Sequence, residues 1–119
     1  MIYLDSSVAL AQLLADARVE WSGVEVGRPD LGPDSRSLAL TLHTAAGWLH
    51  VICNAWWGRL DFELPATGNG SDGWRRIIDT SIDIASDVVA HADAPPVAGD
   101  RYAVGPRSVV CLAARRTEA

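Results

Sequence analysis

Asp61 and Glu63 are two carboxylates separated by one residue, in a stretch where polar and apolar side chains alternate. Side chains two apart on a β-strand share a face at roughly 7 Å. Two carboxyl groups at about that distance are the pairing used to hydrolyse glycosidic bonds. Acids on the wet face of a strand also serve solubility, however, and no pocket-forming sequence surrounds this pair. We therefore predict no catalytic residue and no cofactor.

The three histidines, His43, His50 and His91, are the other candidates for acid, base or metal chemistry. Their spacing gives them no common helical face, although His43 and His50 could approach each other across a hairpin. A zinc site needs at least a third protein ligand, and none is evident. The spacing favours surface or hydrogen-bonded histidines and predicts no metal site.

Asp5 is a single carboxylate at the point where a short apolar strand, Ile2 to Leu4, runs into Ser6 and Ser7. A carboxylate at a junction between strand and helix could contribute to a divalent cation site if other acids converged on it. The simpler interpretation is a helix cap, because Asp and Ser side chains accept hydrogen bonds from the first free N–H groups of a helix.

Trp56 and Trp57 give the strongest binding hypothesis. Neighbouring positions of a strand face opposite sides, so we expect one indole in the core and the other at the surface. An exposed indole offers an apolar face on which a glucose ring can stack. The alternative is that both rings are structural. We predict carbohydrate binding at this pair.

The elements that must position these residues are mainly strands. Val8 to Ala17 is the one convincing helix, and it is apolar nearly all round, so it needs to be covered. From Val19 to Asp34, Gly, Pro and Asp predict an irregular connector. Residues 81–98 are interpreted as a long loop with one turn of helix.

Period-two alternation predicts the strands from residue 38 onward. The predicted segments are Leu38 to His43 and Leu49 to Asn54, which form a hairpin, followed by Leu60 to Leu64, Trp74 to Ile78, Arg101 to Val104 and Ser108 to Ala113. Short strands separated by turn signals predict a mainly β fold, an antiparallel β-sandwich with a short N-terminal strand and helix.

The charge and hydropathy of the sequence bear on which kinds of partner the chain could bind. The net charge is −5, with 15 acidic side chains against 10 basic ones. All basic residues are arginines, and they form no cluster of the kind that phosphate backbones require, so no nucleic-acid partner is expected.

No apolar run reaches the ~20 residues that span a bilayer, and no basic leader precedes an apolar one. We expect no membrane contact, a cytoplasmic location, and Cys53 and Cys111 as buried small hydrophobes in a reducing compartment.

Several motifs occur in the order found in one enzyme family. They are Trp21-Ser22-Gly23, Pro29-Asp30, Ser35-Arg36-Ser37-Leu38-Ala39, the strand from Leu49 to Ala55, Leu64-Pro65, Asp79-Thr80 and the closing run from Arg107 to Leu112. From about residue 21 to 112 the chain resembles the C-terminal β-domain of isoamylase-type glycogen debranching enzymes, which belong to the α-amylase clan. Ser22 stands where that family usually has His, and Cys53 where it has a branched aliphatic residue.

That resemblance implies an accessory β-domain of carbohydrate metabolism. Family members cut α-1,6-glucosidic branches with acids on a (β/α)8 barrel of about 250 residues, for which this chain has no room. We therefore predict a non-catalytic domain over 18–119. Its expected partners are an α-glucan or a glycoside hydrolase barrel, and its expected role is weak glucan binding or protein interaction.

Residues 1–16 resemble a different family, the start of a PIN-domain ribonuclease, whose first strand ends in a metal-binding Asp. Met1 to Leu10 fits that pattern. The resemblance implies a separate N-terminal extension over 1–17, a chimaeric reading frame, and a PIN-like metal-dependent ribonuclease of the toxin type, with Asp5 as a ligand, as the alternative function. A remnant without selected function is a third alternative. The Val8 to Ala17 helix is expected to cover an apolar face or to pair two copies.

Overall fold

The computed structural model describes residues 18–67, 70–82, 90 and 93–117, and in these residues the chain is built from antiparallel strands. The strands are β1 (Arg18–Ser22), β2 (Ser37–His43), β3 (Gly47–Asn54), β4 (Leu60–Glu63), β5 (Arg75–Asp79), β6 (Arg101–Val104) and β7 (Ser108–Arg115). The predicted strand and helix before residue 18 lie outside the described residues. No helix in the described ranges is long and apolar enough to cross a membrane.

The strands form two sheets. One has five strands in the order β1-β2-β3-β7-β5, and the other pairs β4 with β6. Every pairing is antiparallel, so the prediction of a mainly β, antiparallel fold is confirmed. The predicted hairpin is also confirmed, because Leu42 pairs with Leu49 and Leu38 with Cys53.

β1 corrects the interpretation of 19–34 as an irregular connector. Its register places Trp21 opposite Leu40 and Ser22 opposite Ala39. The Gly-rich and Pro-rich signal is real but begins after Ser22, where the Ser22 Oγ accepts a hydrogen bond from the Gly27 N–H at 3.0 Å. A short strand at the edge of a sheet needs only one partner, so neighbouring breakers do not prevent it.

Residues of both sheets belong to one buried core. Phe62 and Val104 enter it from the two-stranded sheet, whereas Ile52, Val110 and Leu112 enter from the five-stranded one, and all of them are fully buried. The predicted alternation of β4 is confirmed, because Phe62 and Leu64 are buried while Asp61 is exposed.

The five-stranded sheet has large apolar side chains on the side away from this core. In β2 and β3 the residues that face inward include Ala39, Thr41, His50 and Asn54, all about 1% exposed. Directly paired residues lie on the same face, so the register also defines the opposite side, which we call the outer face. Its apolar members are Val19, Trp21, Leu38, Leu40, Leu42, Leu49, Val51, Cys53, Ile78, Val109, Cys111 and Ala113, and Arg75 and Arg115 lie on the same face.

Both cysteines are on the outer face, and both are free. Cys53 is exposed and Cys111 is half-buried, so the prediction of two buried cysteines is wrong. The alternation that made their segments look like core strands is present. It places the cysteines in register with Leu38, Val51 and Val109 rather than with the residues that enter the core.

Candidate functional site

The loop after β3 is anchored by one buried side chain, that of Asn54. Its Nδ2 donates to the carbonyl oxygens of Gly58, Val104 and Gly105 at 3.0, 3.1 and 2.9 Å. Its Oδ1 accepts from the Trp56 N–H at 2.9 Å. A single amide therefore joins the loop to the turn between β6 and β7, and it fixes where the two following indoles lie.

Trp56 and Trp57 are both at the surface, 45% and 69% exposed. The prediction that one indole enters the core is wrong, because β3 ends at Asn54 and the residues after it bend instead of continuing the alternation. The guanidinium carbon of Arg107 lies 4.1 Å from the Trp57 ring centroid. We call Trp56, Trp57 and Arg107 the aromatic platform.

Backbone geometry helps to place Arg107 above Trp57. Arg107 has a φ of 53°, in the left-handed region that a non-glycine residue rarely adopts. Its N–H donates to the Trp56 carbonyl at 3.2 Å. A cation over an indole face is attracted by the ring quadrupole, by about 0.5–1 kcal/mol at exposed sites. The platform is thus held by a backbone bond and a stacking contact together.

A groove of about 390 Å³ lies beside the platform. It is lined by Cys53, Asn54, Ala55, Arg107, Ser108 and Val109. That volume is within the usual range for small-molecule sites, which combine apolar walls with a few polar groups. In this groove the Arg107 side chain supplies N–H donors, and Val109 and Ala55 supply apolar surface.

The Asp61 and Glu63 pair is held in surface ion pairs. Both carboxylates point towards Arg101 on β6, at 4.0 Å from Asp61 and 3.9 Å from Glu63. Glu63 also accepts a hydrogen bond from the Val26 N–H at 3.0 Å. The two acids share a face, as predicted. Their ion pairs with Arg101 connect β4 to β6, and the hydrogen bond of Glu63 connects β4 to the segment around Val26.

The two described histidines have different partners. His50 is buried, its Nδ1 lies 2.8 Å from the Thr41 Oγ1, and its ring stacks obliquely near Trp74. Burial lowers the pKa of His50 to about 4, so the imidazole is neutral at pH 7. His43 instead lies 3.4 Å from the Glu20 carboxylate. His91 lies outside the described residues.

Asp79, which is buried, and Tyr102, which is half-buried, form a polar contact that sequence reasoning missed. The Tyr102 hydroxyl donates to Asp79 at 2.5 Å, and Ser81 donates to the same carboxylate at 2.6 Å through its hydroxyl. Burial favours a higher pKa for Asp79, but the hydrogen bonds from Ser81 and Tyr102 and the charge of Arg76 hold it below its usual value. Burial and the Asp79 contact raise the pKa of Tyr102 to about 12.

These shifts argue for a structural role. A general acid or base works best with a pKa near the operating pH. The pKa of Asp79 is lowered and that of Tyr102 is raised, so both lie further from pH 7 than the usual values of these groups. Among the residues that the structure describes, no group of three or more His, Cys, Asp or Glu side chains could hold a metal ion. Asp5 lies outside those residues, so the PIN-like alternative stays an untested prediction.

An antiparallel β-domain with an exposed aromatic loop fits the class of accessory modules. The family model described as Isoamylase, C-terminal, matches residues 33–113. Because the match covers more than half of the chain, the chain belongs to this family, the accessory C-terminal domain of isoamylase-type debranching enzymes, as its motifs predicted. A comparison with curated proteins finds no match.

Proposed function

We propose that the chain is a non-catalytic accessory domain that binds α-glucan at the aromatic platform. The observation that carries this proposal is the geometry of Trp57, a residue that is 69% exposed and whose ring is stacked on one side against the Arg107 guanidinium. An indole presents a wide apolar face to the C–H face of a sugar ring, and a neighbouring guanidinium offers planar N–H donors to the hydroxyl groups.

The stiffness of the loop supports the same proposal. The four hydrogen bonds of Asn54 hold the loop and the turn that carries Arg107 in one arrangement. A site that is ordered before its ligand arrives loses less conformational entropy on binding. The adjoining groove of about 390 Å³ leaves room for a further glucose unit beside the one on Trp57.

The proposed unit is the β-domain from residue 18 onward, an antiparallel sandwich like the C-terminal domains of the α-amylase clan. Two observations support this boundary and architecture. β1 pairs along its whole length with β2, so the sheet extends upstream of the matched residues 33–113. The core is also shared by the two sheets. A glycoside hydrolase barrel remains the protein partner that the family suggests.

Titration of the full chain with maltoheptaose or glycogen tests the platform, with tryptophan fluorescence as the readout. We expect a saturable shift at millimolar sugar and no shift with a β-linked cello-oligosaccharide. Trp57→Ala should weaken binding by about tenfold, which corresponds to about 1.4 kcal/mol. Trp21→Ala is the matched control, because Trp21 is also half exposed but lies on the outer face.

Two results would contradict the proposal. The first is a wild-type chain that shows no spectral change at millimolar α-glucan. The second is equal weakening by Trp57→Ala and Trp21→Ala, which would assign binding to a surface other than the platform.

A further inference from the structure

We infer that the proposed glucan site continues past the aromatic platform into a second groove, so that it holds several consecutive units of one α-glucan chain. This inference rests on the proposed function and defines the length of sugar that the same site takes. The second groove has a volume of about 320 Å³. It is lined by residues 30–32, residues 35–38, Cys53 and Ala55.

The second groove adjoins the groove of about 390 Å³ beside the platform, which we call the first groove. Cys53 and Ala55 line both of them. In the sheet, Cys53 pairs with Leu38 of β2 on one side and with Val109 of β7 on the other. Leu38 lines the second groove and Val109 lines the first. The end of β3 therefore lies between the two grooves.

The separation of the two grooves suits an oligosaccharide. Val109 and Leu38 lie on strands that are two strand spacings apart, which is about 10 Å. A single sugar ring is shorter than this distance, whereas a chain of linked rings can span it. Cys53 and Ala55, which lie between the grooves, are small and exposed. A glucan can therefore cross from one groove to the other without displacing a large side chain.

The second groove offers the kinds of surface that a sugar contacts. Leu31, which is 77% exposed, and Leu38 supply apolar surface for C–H groups. Arg36 supplies N–H donors, and the Asp30 and Ser35 side chains supply acceptor oxygens for hydroxyl groups. Small-molecule sites combine apolar walls with a few polar groups in this way. Because a positive and a negative side chain are both present, the groove suits a neutral ligand rich in hydroxyl groups better than an anion.

Backbone hydrogen bonds fix the second groove relative to the first. The Ala55 N–H donates to the Arg36 carbonyl at 2.8 Å, which joins the end of β3 to the segment that carries the Arg36 side chain. The Ser35 N–H donates to the Gly32 carbonyl at 3.1 Å. The Gly32 N–H donates to the Asp30 carboxylate at 3.1 Å. A groove held in this way loses little conformational entropy when a ligand binds.

Titration of the full chain with maltose and with maltoheptaose, followed by tryptophan fluorescence, tests the inference. Maltose fills the platform and the first groove, whereas maltoheptaose also reaches the second groove. We expect Arg36→Ala to weaken maltoheptaose binding by about fivefold, the effect of one hydrogen bond of ordinary strength, and to leave maltose binding unchanged. Arg115→Ala is the matched control, because Arg115 is also exposed but lies at the other end of β7 from Val109.

Thiol labelling shows where the sugar lies. Leu31→Cys places a thiol in the second groove, and Cys53 lies between the two grooves. Saturating maltoheptaose should slow the alkylation of both thiols, because reaction requires access to the thiolate. Saturating maltose should slow the alkylation of Cys53 alone. Cys111 lies on the same face of the sheet but lines neither groove, so its rate should not change and serves as the internal control.

The possible results separate this inference from the proposed function. If the wild-type chain binds neither sugar, the proposed function fails and the inference fails with it. If Trp57→Ala weakens the binding of both sugars, but Arg36→Ala affects maltoheptaose no more than Arg115→Ala does, the platform stands and the second groove is not part of the site. Equal protection of the Leu31→Cys thiol by maltose and by maltoheptaose would also overturn the inference.

Discussion

Replacement of Asn54 by alanine is the sharpest test of how the aromatic platform is held. The amide has two N–H protons and contacts three carbonyl oxygens, those of Gly58, Val104 and Gly105, while its oxygen accepts from the Trp56 N–H. Asn54→Ala removes all of these bonds at a position that is 1% exposed. No water can take the place of the amide without entering a packed interior.

The expected loss follows from the number of bonds. A typical hydrogen bond contributes about 1 kcal/mol net, and a buried polar group left without its partner costs about 1–3 kcal/mol. Two effective N–H bonds, one accepted bond and the abandoned carbonyls together give roughly 3–5 kcal/mol. Domains of this size have a free energy of unfolding of about 5–15 kcal/mol, so the variant should be folded but visibly weakened.

Urea unfolding, followed by circular dichroism, measures this difference. Asn54→Asp is the informative companion, because it keeps the size and the acceptor oxygen but directs a negative charge at three carbonyls; it should be at least as unstable as Asn54→Ala. Thr41→Val is the matched control, since Thr41 is equally buried but makes a single side-chain contact, with His50. If Asn54→Ala loses less than about 1 kcal/mol, or no more than Thr41→Val, the amide does not hold the loop.

Two further predictions concern stability. The folded-state pKa of His50 is about 4, below its unfolded value of 6.5, so stability should fall as the pH drops from 6.5 to 4, by up to about 3 kcal/mol. Urea unfolding at pH 7 and pH 4.5 should show a smaller decrease for His50→Gln, and parallel decreases would argue against this assignment. Gly47→Ala places a Cβ 2.2 Å from the Ala114 carbonyl oxygen, whereas Gly27→Ala meets no atom within 4 Å. Both glycines have positive φ, so an excess loss of about 3 kcal/mol or more for Gly47→Ala in thermal unfolding would measure the clash, and equal losses would refute it.

The strands were predictable because a period of two is a strong signal over several residues. β2, β3, β4, β6 and β7 all lie where alternation indicated them. β1 was missed because it is short and is followed by a run of Gly, Pro and Asp. In any stretch of sequence that includes β1 and this run, the turn-forming residues outnumber the alternating ones. The pairing of β1 with β2 supplies a stabilising contact that the local sequence does not show.

Alternation identifies which residues share a face, but not which face is buried. In β2 the leucines look like the core residues, yet Ala39 and Thr41 point inward and Leu40 points outward. The inward choice depends on the rest of the core, since Ala39 belongs to the same buried cluster as Phe62 of the second sheet. Which face of a strand is buried depends on the size of the side chains that pack against it from distant segments, and the sequence of that strand alone does not contain this information.

The aromatic platform was half predictable. The sequence identified the two adjacent tryptophans as candidate binding residues, and the structure shows both exposed to solvent. The residue that positions them, Asn54, was read only as the end of a strand. Asn often caps a turn by bonding to the backbone two residues on, and its place immediately before Trp56 and Gly58 was the available signal. The approach of Arg107 depends on a contact between residues far apart in the chain.

The two-faced character of the five-stranded sheet links its folding to whatever lies on its outer side. A ligand that binds only the folded form raises stability in proportion to the logarithm of its concentration. A cover supplied by the same chain would act at a fixed effective concentration, and the melting temperature would then not change when the sample is diluted. A cover supplied by another molecule would make the same domain melt earlier in dilute solution, and its lifetime in the cell would then follow the abundance of its companion.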